Sequence, residues 1–166
     1  TIVAANPFDS IDPAVAYETT PWSAMILTND GLVAFKRTGG SDGTRLVGDL
    51  ATSIPIPTDG GKTYTFQVRR GIHYSNGAPV QPADFRRGIE RAFGTRGGFG
   101  QLFLTSIVGA DRCLKAPKRC DLSQGIVTDP ASNTVTFHLG APDPDFLIKL
   151  AFPAAYAVPS ATPLKA

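Results

Sequence analysis

The sequence predicts an α+β domain with a mainly antiparallel sheet of short hairpins and a few packed helices. Three observations carry that prediction. The stretches "TYTFQV" (63–68) and "TVTFHL" (134–139) alternate apolar and polar residues at the period of a half-buried strand. Between them, "QPADFRRGIERAF" (81–93) repeats apolar residues at the period of a helix. Seventeen glycines and fourteen prolines supply the turns that many short elements need, which argues against a helical bundle.

The totals set the outer bounds. A chain of 166 residues with 42% hydrophobic content has the length of one domain, 1–166, and enough apolar surface to bury a core. Sixteen basic against fourteen acidic residues leave a formal charge of +2, too small and too dispersed to attract nucleic acid or an anionic membrane. No apolar run reaches the roughly twenty residues that span a bilayer. The start "TIVAANPFDS" lacks the basic head and apolar block of a signal peptide, so any targeting segment is expected to have been removed.

Taken in order, Thr1–Ala4 reads as a short strand and the next residues, with Pro7, Pro13 and Pro21, as irregular chain. Between Trp22 and Phe35, the apolar residues Trp22, Met25, Ile26, Leu27 and then Leu32 and Val33 suggest a helix that stops near "NDG" (29–31). "KRTGGSDGTR" is a polar turn. Ile54 and Ile56 then lie on one face of a strand that a turn at Asp59-Gly60 joins to Tyr64, Phe66 and Val68, giving a hairpin. Pro55 and Pro57 donate no ladder hydrogen bonds, which makes the first of those strands an edge or an irregular one.

The helix that follows has Gln81 at its cap, Pro82 at its first position and Asp84 in its first turn, where negative charge suits the dipole. Phe85, Ile89, Ala92 and Phe93 form its inner face, Arg86, Arg87, Glu90 and Arg91 its outer one, and Gly94 ends it. "TRGGFGQ" reads as a mobile loop and Leu102 to Val108 as a return to the core. A second hairpin, "GIVTDPASNTVTFHLG", turns Val135, Phe137 and Leu139 inward and Thr134, Thr136 and His138 outward, and a short helix in "DPDFLIKL" takes Asp143 as its cap. The two alternating strands look like one local solution used twice, since two copies do not make a repeat array.

Cys113 and Cys120, in "CLKAPKRC", have six residues between them, wider than the usual spacing of paired zinc ligands, and only His73 and His138 could complete a metal set. A disulfide is the preferred reading, and with it an oxidising, extracytoplasmic compartment.

Chemistry-bearing motifs are scarce. "GGKT" lacks the upstream glycine of a phosphate loop, because residue 56 is isoleucine. "GTRGGFG" lacks dinucleotide spacing, and Phe99 within it reads as a loop anchor. His73 with Ser75 is the nearest approach to a hydrolytic pair, without a G-x-S-x-G elbow. Asp84, Asp143 and Asp145 serve helix starts and Asp59 and Asp129 serve turns, so no acid–base pair remains.

The ordered segments "IDPAVAYETTPWSAMILTNDGLVAFKR", "RLVGDLATSIPIPTDGGKTYTFQVRRGIHYSNGAPVQPADFRRGIERAF" and "GIVTDPASNTVTFHLGAPDPDFLIKLAFPAAYAVPSATP" resemble the N-terminal part of the family 5 extracellular solute-binding proteins, the peptide and nickel receptors of ABC importers. Gly48 departs from the proline usual there, and Ile54 to Pro57 replace a more regular strand. The resemblance implies the inserted subdomain of a two-lobed, periplasmic-binding-protein-like receptor, with 1–12 and 153–166 leading from and to the missing lobe. It implies a peptide or other small solute as ligand, ABC transporter permease subunits as partners, no cofactor, no metal and no catalysis. Membrane association would come only through a lipid anchor absent from this chain. Asn6, Phe8, Asp9, Thr20, Pro21 and Trp22 are the residues expected to line the ligand cleft. The alternative is a secreted hydrolase domain using His73 and Ser75.

Overall fold

The structure, a computed structural model, describes residues 9–95 and 99–164. The strand expected at Thr1–Ala4 lies outside the described residues, as do Asn6 and Phe8.

The core is a three-stranded antiparallel sheet of β3 (Thr63–Gln67), β4 (Ile126–Asp129) and β5 (Thr134–His138), in the order β3-β5-β4. The two look-alike strands are each other's partners, with Thr63 opposite His138 and Gln67 opposite Thr134. That register puts Tyr64 beside Phe137 and Phe66 beside Val135 on the buried face. Phe66 and Phe137 meet edge to face with centroids 5.7 Å apart, and Phe146 caps the cluster 5.3 Å from Phe137. On the other face the hydroxyls of Thr65 and Thr136 lie 3.1 Å apart.

The expected partner of β3 is therefore corrected. Residues 54–57 form no strand, and Ile56 is 90% exposed. Pro55 and Pro57 have no N–H for a ladder, so the chain on either side of this stretch meets the β3 segment at isolated bridges, Ala51 with Val68 and Thr58 with Thr63, while Ile54 packs against the core.

Helix α2 (Pro82–Gly94) packs on β4 and β5 through Phe85, Ile89 and Phe93, as its period predicts. Asp84 closes its first turn, accepting the Gln81 N–H at 2.8 Å, the Tyr74 hydroxyl at 2.9 Å and the Ser160 N–H at 2.7 Å. Two of its outward residues are in fact buried: Glu90 is 7% exposed and Arg91 4%. Glu90 accepts the Leu122 N–H at 3.1 Å, while Arg91 reaches Asp12 and the Pro163 carbonyl. The chain at 156–158 runs so close over the helix that a Cβ on Gly88 would stand 2.1 Å from the Tyr156 carbonyl oxygen. Glycine is required there by contact.

The helix expected to run from Trp22 to near "NDG" (29–31) ends earlier. α1 covers Thr19–Met25, and Leu32 and Val33 belong instead to the buried start of a hairpin, β1 (Val33–Phe35) with β2 (Leu46–Gly48). Gly31 and Leu32 carbonyls accept N–H groups from Asp49, Leu50 and Ala51, which stitches this hairpin's base. The polar turn at 36–45 contains a 3-10 turn at Gly40–Thr44.

Of the expected mobile loop, residues 96–98 lie outside the described residues and Phe99–Phe103 is helical, α3. Leu104 and Ile107 return to the core as expected, whereas Leu102 is exposed. α4 (Ala110–Lys115) leads into the Cys113–Cys120 disulfide, whose two half-cystines are buried. α5 (Phe146–Lys149) takes Asp145, not Asp143, at its cap position. Asp143 instead accepts bonds from Ser106 at 2.8 Å and Lys149 at 2.7 Å, tying the helix to the preceding segment.

Candidate functional site

The described residues of the expected cleft segment have separate jobs. Asp9 accepts the N–H groups of Tyr17 at 2.7 Å, Glu18 at 3.4 Å and Ser10 at 2.8 Å. The Tyr17 bond first, helped by those from Ser10 and Glu18, holds its carboxyl below the usual range. Asp9 thus anchors a loop to the start of α1. Pro21 is buried and Thr20 half-buried. Trp22 faces a cavity.

That cavity, of about 120 Å³, opens between α1, the β1–β2 hairpin and the chain at 151–156. Trp22 forms one wall, fixed by its indole N–H donating to the Ala16 carbonyl at 3.0 Å and by Phe152, whose ring centroid is 5.4 Å away. Phe35 and Tyr156 complete an aromatic lining. Asp49 and Arg37 supply charge within it, and Arg37 donates to Asp30 at 3.1 Å.

Burial, then repulsion from Asp30, pushes the Asp49 carboxyl above the ordinary carboxylate value. The same environment, burial first and the Asp49 and Asp30 charges next, pushes the Tyr156 phenol up to about 12. The arrangement can hold an apolar group against charged ones. It contains no nucleophile with an adjacent base.

Of the residues that line this cavity, the sequence singles out Trp22 and gives no sign of Phe35, Asp49, Phe152 or Tyr156. All four come from segments whose local pattern carries no mark of a shared cavity. His73 and Ser75 do border one hollow, of about 230 Å³, together with Asp30 and Tyr74. His73 Nδ1 lies 3.0 Å from the Gly71 carbonyl, the Tyr74 hydroxyl is committed to Asp84, and no bond links His73 to Ser75 among the described residues. His138 lies half-buried with Nδ1 3.3 Å from the Thr63 hydroxyl. Among the described residues, no group of three or more His, Cys, Asp or Glu side chains is placed to hold a metal.

The profile of the bacterial extracellular solute-binding proteins, family 5 Middle, matches residues 45–165. The chain is 34% identical over 153 residues to the probable deoxycholate-binding periplasmic protein YgiS of Escherichia coli K12, covering 90% of this chain and 27% of that protein. It is 29% identical over 148 residues to the probable D,D-dipeptide-binding periplasmic protein DdpA of the same organism, covering 89% and 25%. Among solved structures, the clavulanic acid biosynthesis oligopeptide binding protein 2 superposes with a TM-score of 0.76 at 28% identity, covering 92% of this chain and 28% of that one. The pheromone receptor PrgZ superposes at 0.79 with 22% identity, covering 94% and 30%, which speaks for the fold alone. The chain thus spans about a quarter of the curated relatives it matches. It belongs to the family 5 extracellular solute-binding proteins, and its location is extracytoplasmic.

Proposed function

We infer that this member of the family 5 solute-binding proteins is part of the substrate-capturing receptor of an ABC importer, with oligopeptides as its ligands. It works by reversible capture, with no bond made or broken. ABC transporter permease subunits are its downstream partners. The observation that carries this reading is the match over residues 45–165 combined with a fold that covers most of this chain and under a third of each solved relative. These 166 residues correspond to one subdomain of a two-lobed receptor, in which closure around the ligand supplies most of the contacts.

The cavity walled by Trp22, Phe35, Phe152 and Tyr156 is the part of this chain best suited to face a ligand. It offers apolar surface with charge at hand, the mixture found in small-molecule sites. Two of the segments that build it, around Trp22 and around Phe152, lie toward the two ends of the chain.

Calorimetry against a pool of di- to hexapeptides tests the reading. A receptor containing this chain and the remaining lobes is expected to bind, and Trp22→Ala within it to weaken binding by roughly tenfold, about 1.4 kcal/mol. The 166-residue chain alone is expected to show no appreciable affinity, because association costs about 4 to 15 kcal/mol before any contact offsets it. Micromolar binding by the chain alone would overturn the subdomain assignment, and no peptide binding by the complete receptor would overturn the oligopeptide assignment.

A further inference from the structure

We propose that the disulfide-closed segment at residues 113–120 docks the protein on an anionic membrane surface through its lipid headgroups. The near-neutral total charge points away from such a contact, but the folded chain does not distribute its charge evenly. Eight of the described lysines and arginines sit in ion pairs with carboxylates. Arg69 and Arg70 donate to backbone carbonyls, and Arg112 to the Gln124 side chain at 2.8 Å. The remaining three, Lys115, Lys118 and Arg119, have no side-chain hydrogen bond or ion pair among the described residues. All three are exposed, and all three lie within one five-residue stretch.

The covalent frame explains why they stay together. The disulfide from Cys113 to Cys120 has its sulfur-bearing residues buried, so both ends of the segment are fixed to the core. α4 and the 3-10 turn at Pro117–Arg119 are held side by side. Lys115, Lys118 and Arg119 then surround an open, shallow hollow of about 410 Å³ that also takes in Gly94, Ala116 and Pro117. From 112 through 119 there is no acidic residue. Asp121, just beyond, turns to accept the Ser123 N–H at 2.9 Å.

Three features favour a membrane over a soluble polyanion. The cations share their patch with apolar groups, since Leu114 is 42% exposed next to Lys115 and the hollow holds Ala116 and Pro117. That combination suits the boundary where headgroup charge meets acyl chain. The patch is short, whereas a nucleic acid or acidic polymer rewards a long cationic track. An extracytoplasmic protein also meets the outer face of a membrane throughout its life.

The test is co-sedimentation of the full chain, disulfide intact, with neutral vesicles of phosphatidylcholine and with vesicles containing about 30% phosphatidylglycerol. Binding to the anionic vesicles is expected to be roughly tenfold tighter or more, and to vanish in about 0.5 M salt. The triple variant Lys115→Ala, Lys118→Ala, Arg119→Ala should lose it. A second variant that removes the same charge elsewhere, Lys36→Ala, Arg45→Ala, Lys62→Ala, should keep it. Equal binding to both vesicle types, equal loss in both variants, or binding to soluble polyglutamate without binding to vesicles would each overturn the proposal.

Discussion

The sheet with α2 and the limb that carries Trp22 use the same kinds of residue to opposite ends. In the first region Phe66, Phe85, Phe137 and Phe146 are fully buried, three of them ring against ring, and Asp84 is satisfied by three donors. In the second, Trp22, Phe35 and Phe152 remain partly open around a cavity, and Asp30, Arg37 and Asp49 stand half-paired beside them. Aromatic content does not distinguish the two. What differs is whether a second layer closes over the rings: α2 and α5 cover the sheet, and nothing among the described residues covers the limb. A closed layer leaves no room for a ligand, whereas an open aromatic surface beside charge is a place to bind one.

The comparison breaks most sharply under truncation. Phe66→Ala or Phe137→Ala should cost about 3 to 5 kcal/mol, because each leaves a cavity in a close-packed cluster. Phe35→Ala should cost under about 1 kcal/mol, since its ring already meets solvent. Urea denaturation followed by circular dichroism reads both, and equal losses would mean that the limb is as tightly packed as the sheet.

Next in size is the disulfide. Replacing Cys113 and Cys120 with serine should cost about 2 to 3 kcal/mol through the freed loop of the unfolded chain. The single tryptophan, Trp22, reports the limb independently. Its emission maximum in the still-folded variant should be unchanged, and a shift would show that the two regions are coupled.

Asp84→Ala should cost about 1 to 3 kcal/mol, because the Tyr74 hydroxyl and the Gln81 and Ser160 N–H groups lose an acceptor that is itself buried. Thermal melts of Asp84→Ala beside Asp9→Ala sharpen the contrast, as Asp9 makes its three bonds at an exposed loop and should cost less.

The smallest effects concern pH, and they carry opposite signs in the two regions. Burial raises Asp143, but its bonds from Lys149 and Ser106 outweigh that and hold it below the ordinary value. Its contribution is therefore present above the ordinary carboxylate value and is lost as pH falls through the depressed one. Asp49 is raised by burial, so its contribution is present below the ordinary value and is lost as pH rises through the elevated one. Asp143→Asn should flatten the acid side of a stability-versus-pH curve and Asp49→Asn the rising side. The same side flattened by both would contradict the assignment.

Where the sequence was informative, the signal was short in range. Gln81, Pro82 and Asp84 mark the start of α2 within four residues, and its apolar period needs only thirteen. The alternation in β3 and β5 and the pairing of two near cysteines are equally local. The errors have a common source. Leu32 and Val33 read as helix because their apolar spacing continues that of α1, and only the hydrogen bonds from Asp49 and Ala51 to Leu32 make them the base of a hairpin. Ile54 and Ile56 alternate as a strand does, yet β3 takes its partner from seventy residues downstream, where β5 has N–H groups that the two prolines lack.

The sequence by itself determined an α+β domain, the capped helix α2, the inward faces of β3 and β5, and the disulfide, because each depends on backbone sterics or on side-chain periods spanning a few residues. The tertiary structure alone decided which strand pairs with which and that Glu90 and Arg91 are buried. It also decided that Trp22, Phe35, Asp49, Phe152 and Tyr156 share one cavity and that, among the described residues, the cations without a side-chain partner gather at Lys115, Lys118 and Arg119. These depend on contacts between residues far apart in the chain, and a charged side chain is exposed or buried according to the partner that folding brings to it, which no local pattern records.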